Sequence, residues 1–198
     1  MKEGINMAIR FKGKLKNDNL LELADISHYH KIKRNFLDYF FTFCILLFPL
    51  YCGLRLLIGP YKGPVSNILF GDIIGLIIVV LLMIIHEYLH AMQFSKNQNV
   101  TIWYKGFMMM TYCTEEKNPK SYIKLLLLPN IIIALPIAIL TIYLYYTCTQ
   151  LLFIKVFGLC SCIIILGTIN DLSYAIYLIR NFKKIKSVRL NQQNIYYQ

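Results

Sequence analysis

The chain has 198 residues, of which 57% are hydrophobic and only 16% are charged, and its formal net charge is +11. The apolar residues gather in blocks long enough to cross a bilayer, which excludes an ordinary soluble domain. Lys and Arg crowd the two ends of the chain, so the positive charge favours contact with anionic lipid and requires no nucleic-acid partner.

Four apolar blocks have the length of a membrane-spanning helix. About 20 apolar residues are needed to cross roughly 30 Å of hydrocarbon, and every block reaches that length. We therefore predict an all-α integral membrane protein with about four transmembrane helices. They cover residues 35–59, 68–94, 122–147 and 151–178.

The charged segments predict the domain organisation and the topology. Residues 1–34 and 181–198 are basic and flank one membrane-embedded domain at residues 35–180. Because Lys and Arg accumulate on the cytoplasmic side, we expect a multi-pass protein of the plasma membrane with both termini in the cytoplasm. About 35 mostly polar residues precede the first block, so we expect an anchor there and no cleaved signal peptide.

The second block contains the motif His86-Glu87-x-x-His90. Residues four apart share one face of a helix, so both imidazoles can reach one zinc ion while Glu87 addresses a metal-bound water. The alternative is a histidine pair packed inside a bundle, with Glu87 as its hydrogen-bond partner. Ionisable groups at membrane depth are costly and usually functional, which favours the metal site.

A cytoplasmic β-hairpin is predicted after this helix. Residues 100–104 and 107–112 are rich in β-branched, aromatic and other large apolar residues and flank Lys105-Gly106, a suitable two-residue turn. Its edge could accept an extended substrate as an added strand. The alternative is a hairpin that only packs at the membrane interface.

The third block contains Pro129 and Pro136. Proline interrupts a soluble helix but is tolerated as a kink in a membrane when neighbouring helices satisfy the freed carbonyls. A re-entrant or broken helix is the alternative in this block.

The fourth block supplies a third metal ligand. Asp171 is its only carboxylate, and a catalytic zinc needs three protein ligands. At 1.5 Å per residue, His86 and His90 lie roughly 27 to 33 Å from the outer end of their helix, and Asp171 lies roughly 30 Å along its own. The three donors thus share one level near the cytoplasmic face, where we expect a polar channel. The alternative is that Asp171 only pairs helices through hydrogen bonds.

Other polar residues are weaker candidates. Asp72 lies about 21 Å from the histidines on the same helix and cannot reach the same ion. His28 and His30 form a pair in the basic N-terminal segment, where a solvated surface role is favoured. Glu115 and Glu116 could be ligands only if their loop folded back.

The six cysteines suggest no disulfide framework. Cys160 and Cys162 point about 200° apart on a helix, so they are poor co-ligands and fit small core positions.

These motifs together resemble a bacterial integral-membrane family of unknown function described as zincin peptidases and, more distantly, the site-2 protease group of intramembrane zinc metalloproteases. The shared elements are His86-Glu87-x-x-His90, Pro119-x-Ser121, Leu128-Pro129 and Gly167-x-x-Asn170-Asp171. The resemblance implies a site-2-protease-like core with His86, His90 and Asp171 as zinc ligands and Glu87 as general base. The chain has Asn170-Asp171-Leu172 where site-2 proteases have a Leu-Asp-Gly type of motif.

The expected function is that of a zinc metalloendopeptidase that hydrolyses a peptide bond in a membrane protein or peptide through a zinc-activated water. Asn170 or Asn130 could donate an amide N–H to the developing oxyanion or contact the substrate, or could serve as interhelical hydrogen-bonding residues. One alternative is a non-catalytic scaffold or pseudo-protease that binds a partner helix. A metal transporter is a weaker one, because the spans beyond the site are almost unbroken Ile, Leu and Val.

Overall fold

The computed structural model describes residues 8–16, 21, 23–59, 64–106, 108–148, 150–191 and 194–198. The fold is mostly helical, at 63%, with two small three-stranded sheets. The helices are α1 (Phe36–Ile58), α2 (Val65–Ala91), α3 (Pro119–Pro129), α4 (Leu135–Thr147), α5 (Leu151–Gly167) and α6 (Ile169–Arg180), with a π-helical turn at Asn130–Ala134 and a 3-10 turn at Phe182–Lys184. The strands are β1 (Ala8–Lys14), β2 (His30–Lys31), β3 (Asn99–Lys105), β4 (Met108–Tyr112), β5 (Val188–Asn191) and β6 (Asn194–Tyr197).

Among the described residues, three or four helical segments could cross a membrane. Phe36–Ile58, Ser66–Ala91 and Pro119–Thr147 each have the required length and apolar character, and α5 with α6 makes a fourth if the bent pair counts as one span. Only 17% of the most apolar window of Ser66–Ala91 is buried inside the protein. The remaining apolar side chains need a cover, so these helices are compatible with a membrane protein.

The helix break falls in the fourth apolar block and not in the third, for which a broken helix was the alternative interpretation. α5 and α6 meet at Thr168 with a bend of 40°. The Thr168 hydroxyl donates to the carbonyl of Ile165 at 2.8 Å, directly after Gly167. A glycine followed by a hydroxyl side chain that bonds the preceding turn is a common cause of a kink. The third block runs unbroken from Pro119 to Thr147 through the π-helical turn.

An ion pair between a buried carboxylate and an exposed arginine joins the start of α1 to the end of α6. Asn35 caps α1 in a reciprocal capping box with Asp38, which has no exposed surface. Arg180 donates to Asp38 Oδ1 at 2.6 Å and to Asn35 Oδ1 at 3.1 Å. The pairing neutralises the buried carboxylate and fixes α6 against α1.

The predicted hairpin is present, and it belongs to a larger sheet. β3 and β4 pair antiparallel around Gly106, whose φ of +63° suits glycine. β1 pairs parallel with β3 on the other side, which gives the strand order β1-β3-β4. β4 is therefore an outer strand of this sheet.

The second sheet was not predicted. The expectation of an all-α protein with one hairpin therefore omitted part of the β structure. Its order is β2-β6-β5, and a bridge between Lys117 and Val188 ties it to the loop before α3. Strand β1 and this sheet place residues from both basic ends of the chain in regular structure. These strands are short and rich in polar residues, so the sequence carries little periodic signal for them.

The helical bundle and the sheets have separate hydrophobic cores. In the bundle, α5 packs closely on α1 and α2, and a Cβ at Gly158 would lie 2.8 Å from the backbone N of Leu57. Such close approach of small residues is typical of helices packed in a membrane. The largest cluster of buried residues lies instead where α2, α3 and α6 meet the sheets, and includes Ala91, Leu125 and Ala175.

Candidate metal centre

Three donor atoms from two helices converge at the edge of this cluster. His86 and His90 lie one turn apart near the end of α2, and Asp171 lies in the first turn of α6. The two Nε2 atoms are 3.1 Å apart, and Asp171 Oδ2 lies 3.1 Å from that of His86 and 3.2 Å from that of His90. The structure thus brings together the three residues that the sequence suggests as ligands.

The triangle of donors fits a tetrahedral zinc ion. With bonds of about 2.0 to 2.1 Å, the ligand atoms of tetrahedral zinc stand about 3.3 Å apart. The observed sides of 3.1 to 3.2 Å are close to that value. Two imidazole nitrogens and one carboxylate oxygen are also a common catalytic zinc ligand set, so both the spacing and the chemistry fit the ion.

The orientation of His90 is fixed by the main chain of α3. Its Nδ1 lies 2.8 Å from the carbonyl oxygen of Leu125, and the imidazole is 7% exposed. A carbonyl can only accept, so Nδ1 carries the proton, and in the neutral form of the ring Nε2 presents its lone pair to the centre. That lone pair faces the carboxylate oxygen of Asp171, an arrangement that a cation stabilises.

Pro129 explains why the Leu125 carbonyl can accept this bond. In a regular helix the carbonyl of Leu125 would accept from the N–H of residue 129, which proline lacks. Gln93 Nε2 is a second donor to the same oxygen, at 3.1 Å. The side chain of Asn130 donates to the next carbonyl, that of Leu126, at 2.7 Å.

Glu87 lies beside the three donors. The ligand atoms of His86, Glu87 and His90 all lie within 4.8 Å of one another. The carboxylate of Glu87 is therefore close enough to the imidazoles to act on a water held between them. The main-chain carbonyl of Glu87 accepts from the hydroxyl of Thr111 at 2.8 Å, which ties α2 to β4.

A cavity of about 350 Å³ opens next to the donors. Polar groups from Glu87, His90 and Asp171 meet apolar walls there, and the volume lies within the range of small-ligand sites. Helices α2, α3 and α6, both sheets and the segment before α1 contribute to it. The lining residues are Arg34, Glu87, His90, Phe94, Lys105, Met109, Met110, Thr111, Tyr122, Leu125, Leu126, Asn170, Asp171, Tyr174, Leu190 and Ile195.

A family model with the description "putative zincin peptidase" matches residues 79–186, more than half of the 198 residues. The chain belongs to this zincin peptidase family. Membership implies zinc as cofactor, and the matched region contains all three converging donors. No curated protein and no solved structure matches the chain. The more distant resemblance to site-2 proteases therefore receives no support from these comparisons.

The structure places the two candidate asparagines differently. Asn170 lines the cavity, and its Oδ1 accepts from the guanidinium of Arg34 at 2.9 Å. Asn130 is not among the described residues that line it. Its side-chain amide instead donates to the carbonyl of Leu126 in the preceding turn of its own helix.

The weaker candidates lie apart from the zincin centre. His28 and His30 are exposed, as expected for solvated residues. Glu115 accepts from Ser95 and Lys117, and Glu116 accepts from Arg189. Neither glutamate belongs to the possible metal group found among the described residues.

Three further residues bear on the centre and were missed in the sequence. Gln93 shares the acceptor of His90, Thr111 fixes the main chain of Glu87, and Arg34 lines the cavity. Gln93 lies three residues beyond the motif, in the turn that follows α2, and this nearness to His90 in the sequence is a signal that could have been used. Arg34 reaches the site only through the tertiary fold.

Proposed function

We propose that the protein is an intramembrane zinc metallopeptidase that cleaves a peptide bond in a membrane-associated substrate. The observation that carries this proposal is the convergence of His86 Nε2, His90 Nε2 and Asp171 Oδ2 within 3.2 Å, with His90 Nδ1 held at 2.8 Å by the carbonyl of Leu125. Family membership supports peptidase chemistry. The alternative role of Asp171 as a helix-pairing residue would not require the histidines to face one another.

The proposed mechanism assigns a separate role to each residue. His86, His90 and Asp171 would hold zinc, which when bound supplies a Lewis acid that acidifies water and polarises a carbonyl. Glu87 is placed to accept the proton of the attacking water and return it to the leaving amine. Thr111 holds the Glu87 main chain and so limits movement of this base relative to β4.

Strand β4 is the proposed substrate platform. It is the outer strand of its sheet, and Met109, Met110 and Thr111 line the cavity. An extended peptide added to this edge would place its carbonyl groups beside the centre. A helical membrane segment must break its own main-chain hydrogen bonds before a peptide bond can be cleaved. Pairing with β4 would supply new main-chain hydrogen bonds to the unwound segment.

The proposed location is the cytoplasmic side of the plasma membrane, with both termini inside. The centre lies where the apolar helices meet the two sheets, and the sheets carry residues from the basic ends of the chain. Basic segments favour the cytoplasmic face. Water would then enter through the cavity and need not cross the hydrocarbon layer.

The test is the metal content of the detergent-purified protein, measured by mass spectrometry. We expect about one zinc per chain in the wild type, since three donors converge on one point. His86→Ala and Asp171→Ala should each lose the metal, whereas Asp72→Ala serves as a matched control on the same helix as His86 and should retain it. A wild type free of zinc, or an Asp171→Ala variant that binds it unchanged, contradicts the proposed centre.

Glu87→Gln separates a peptidase from a non-catalytic scaffold. The variant keeps the shape of the side chain and removes its basicity, so it should retain zinc and lose turnover by at least about 100-fold. Turnover is measured on a library of membrane-segment peptides by mass spectrometry of the products. Equal product formation by wild type and variant would remove Glu87 from the proposed chemistry.

A further inference from the structure

Arg34 brings a cation into the wall of the catalytic cavity. It lies in the segment between β2 and α1 and lines the same cavity as Glu87, His90 and Asp171. It is half-buried, and its environment combines apolar walls with the polar centre. A charge in such surroundings is favourable only with suitable partners.

The partners of Arg34 orient the guanidinium without neutralising it. NH1 donates to Asn170 Oδ1 at 2.9 Å and to Ser173 Oγ at 2.8 Å, and the guanidinium carbon lies 3.9 Å from the ring centre of Tyr174. These three partners lie on α6, close in sequence to Asp171, and the ring centre of Tyr39 on α1 lies 5.0 Å from the same guanidinium carbon. The helix that carries the proposed third ligand therefore supplies both hydrogen bonds and the closer ring contact that orient Arg34.

Arg34 differs in this respect from Arg180. Arg180 pairs with the buried carboxylate of Asp38 at 2.6 Å. Among the residues that the structure describes, no carboxylate forms an ion pair with Arg34, and only NH1 is engaged in hydrogen bonds. Nε and NH2, which share one edge of the guanidinium plane, are left for another acceptor, and this edge matches the two oxygens of a carboxylate.

We propose that Arg34 and the adjoining cavity form a subsite for a carboxylate of the substrate. This inference rests on the proposed peptidase function and names a feature of its substrates. The carboxylate has two possible sources, the C-terminal α-carboxylate of a peptide or an acidic side chain. A terminal carboxylate would direct cleavage to the end of a chain, and an acidic side chain would select a position within it.

Three short peptides distinguish these sources. The first is N-acetyl-Ala-Leu-Phe with a free carboxylate, the second is the same peptide as a C-terminal amide, and the third is N-acetyl-Asp-Leu-Phe amide. Binding is measured by isothermal titration calorimetry on full-length, zinc-loaded Glu87→Gln protein in detergent, so that turnover does not interfere. We expect the free acid or the Asp peptide to bind about 10- to 100-fold more tightly than the neutral amide.

Two further substitutions in the Glu87→Gln protein test whether Arg34 causes the preference for a carboxylate. Arg34→Gln should reduce it to less than about threefold, with zinc content unchanged, because the paired N–H donors are lost. Lys33→Gln removes the same charge from an exposed neighbour and should leave the preference intact. If Arg34→Gln does not fold, Arg34→Lys replaces the planar fork with a point charge and should weaken the preference at least about fivefold.

Equal binding of all three peptides overturns the subsite. A preference for the carboxylate that survives Arg34→Gln also overturns it, because the carboxylate would then bind zinc or another group. A parallel incubation of the peptides with wild-type protein tests cleavage. Carboxylate-selective binding without cleavage keeps the subsite and refutes the peptidase. Cleavage without an effect of Arg34 keeps the peptidase and refutes the subsite.

Discussion

The carboxylate of Glu115 shows how a charged residue outside the centre serves structure. Its oxygens accept from the main-chain N–H of Ser95 at 2.8 Å, from the hydroxyl of the same residue, and from Lys117 at 3.2 Å. Lys117 also donates to the main-chain carbonyl of Gln93 at 3.1 Å. The network closes the turn after α2, so it supports the end of the helix that carries His90.

We predict an acid-sensitive contribution of Glu115 to stability. Burial raises the pKa of its carboxyl, but hydrogen bonds from Ser95 and Lys117 outweigh that effect, so the pKa lies below the ordinary value of 4.5. A lowered pKa stabilises the fold above about pH 4.5, and the benefit is lost as the pH falls through the folded pKa. Glu115→Gln should therefore cost about 1 to 2 kcal/mol at pH 7, and the cost should shrink as the pH falls below 4.5.

The measurement for Glu115 is thermal unfolding of wild type and variant between pH 3 and pH 7. Lys96→Gln is a suitable control, since this exposed lysine lies in the same turn. A difference between wild type and Glu115→Gln that stays constant across this range would show that the ionised carboxylate is not the stabilising form.

At the scale of elements, the helix that contains Pro129 and helix α2 act as one unit. Pro129 removes the N–H that would occupy the carbonyl of Leu125, and the π-helical turn follows directly at Asn130–Ala134. The freed acceptor receives His90 and Gln93. The irregularity in one helix thus sets the ring orientation of a ligand on another.

Pro129→Ala tests this coupling between helices. An N–H at residue 129 would compete with His90 for the Leu125 carbonyl, and loss of an outer-shell partner typically weakens metal binding about 10- to 100-fold. Zinc affinity is measured by competition with a chelator. Pro136→Ala changes a second proline of the same long helix and should leave the affinity within about twofold, because no bond from His90 depends on it.

Unchanged zinc affinity in a folded Pro129→Ala protein would mean that the orientation of His90 does not depend on the missing N–H of Pro129. Far-ultraviolet circular dichroism and thermal unfolding of the zinc-free variant establish that it is folded.

At the scale of the whole molecule, the apolar bundle and the polar sheets meet at the metal centre. The bundle helices expose most of their apolar side chains, whereas the sheets and the turn at Lys96 carry polar groups. Such a division is expected when one part lies in lipid and the other in water. Both ends of the chain contribute strands on the polar side.

We predict that Cys148 and the turn at Lys96 lie on opposite sides of the membrane. Cys148 follows α4 directly, and Lys96 follows α2 at the end that carries the centre. In intact expressing cells, a membrane-impermeant maleimide should label Cys148 and spare a Lys96→Cys variant at its new thiol. Inverted vesicles should give the reverse pattern. Labelling of the position 96 thiol from outside would invert the proposed topology.

Sequence reasoning reached the elements whose signal is local. The His86 and His90 pair, the apolar blocks and the Lys105-Gly106 turn each follow from periodicity or from the conformational preferences of a few neighbouring residues. The sheet containing β2, β5 and β6 escaped prediction because its strands are short and pair across the whole length of the chain. The bend at Thr168 escaped because a hydroxyl in an apolar run gives no distinct pattern.

The sequence by itself determined that this is an apolar, helical chain with a zincin motif near one end of its second span, because composition and helical spacing are properties of neighbouring residues. Only the tertiary structure decided that Asp171 touches both histidines, that Pro129 releases an acceptor for His90, and that Arg34 enters the cavity. Each of these relations joins residues distant in the chain. Their contact depends on how helices pack and bend, which local spacing does not encode.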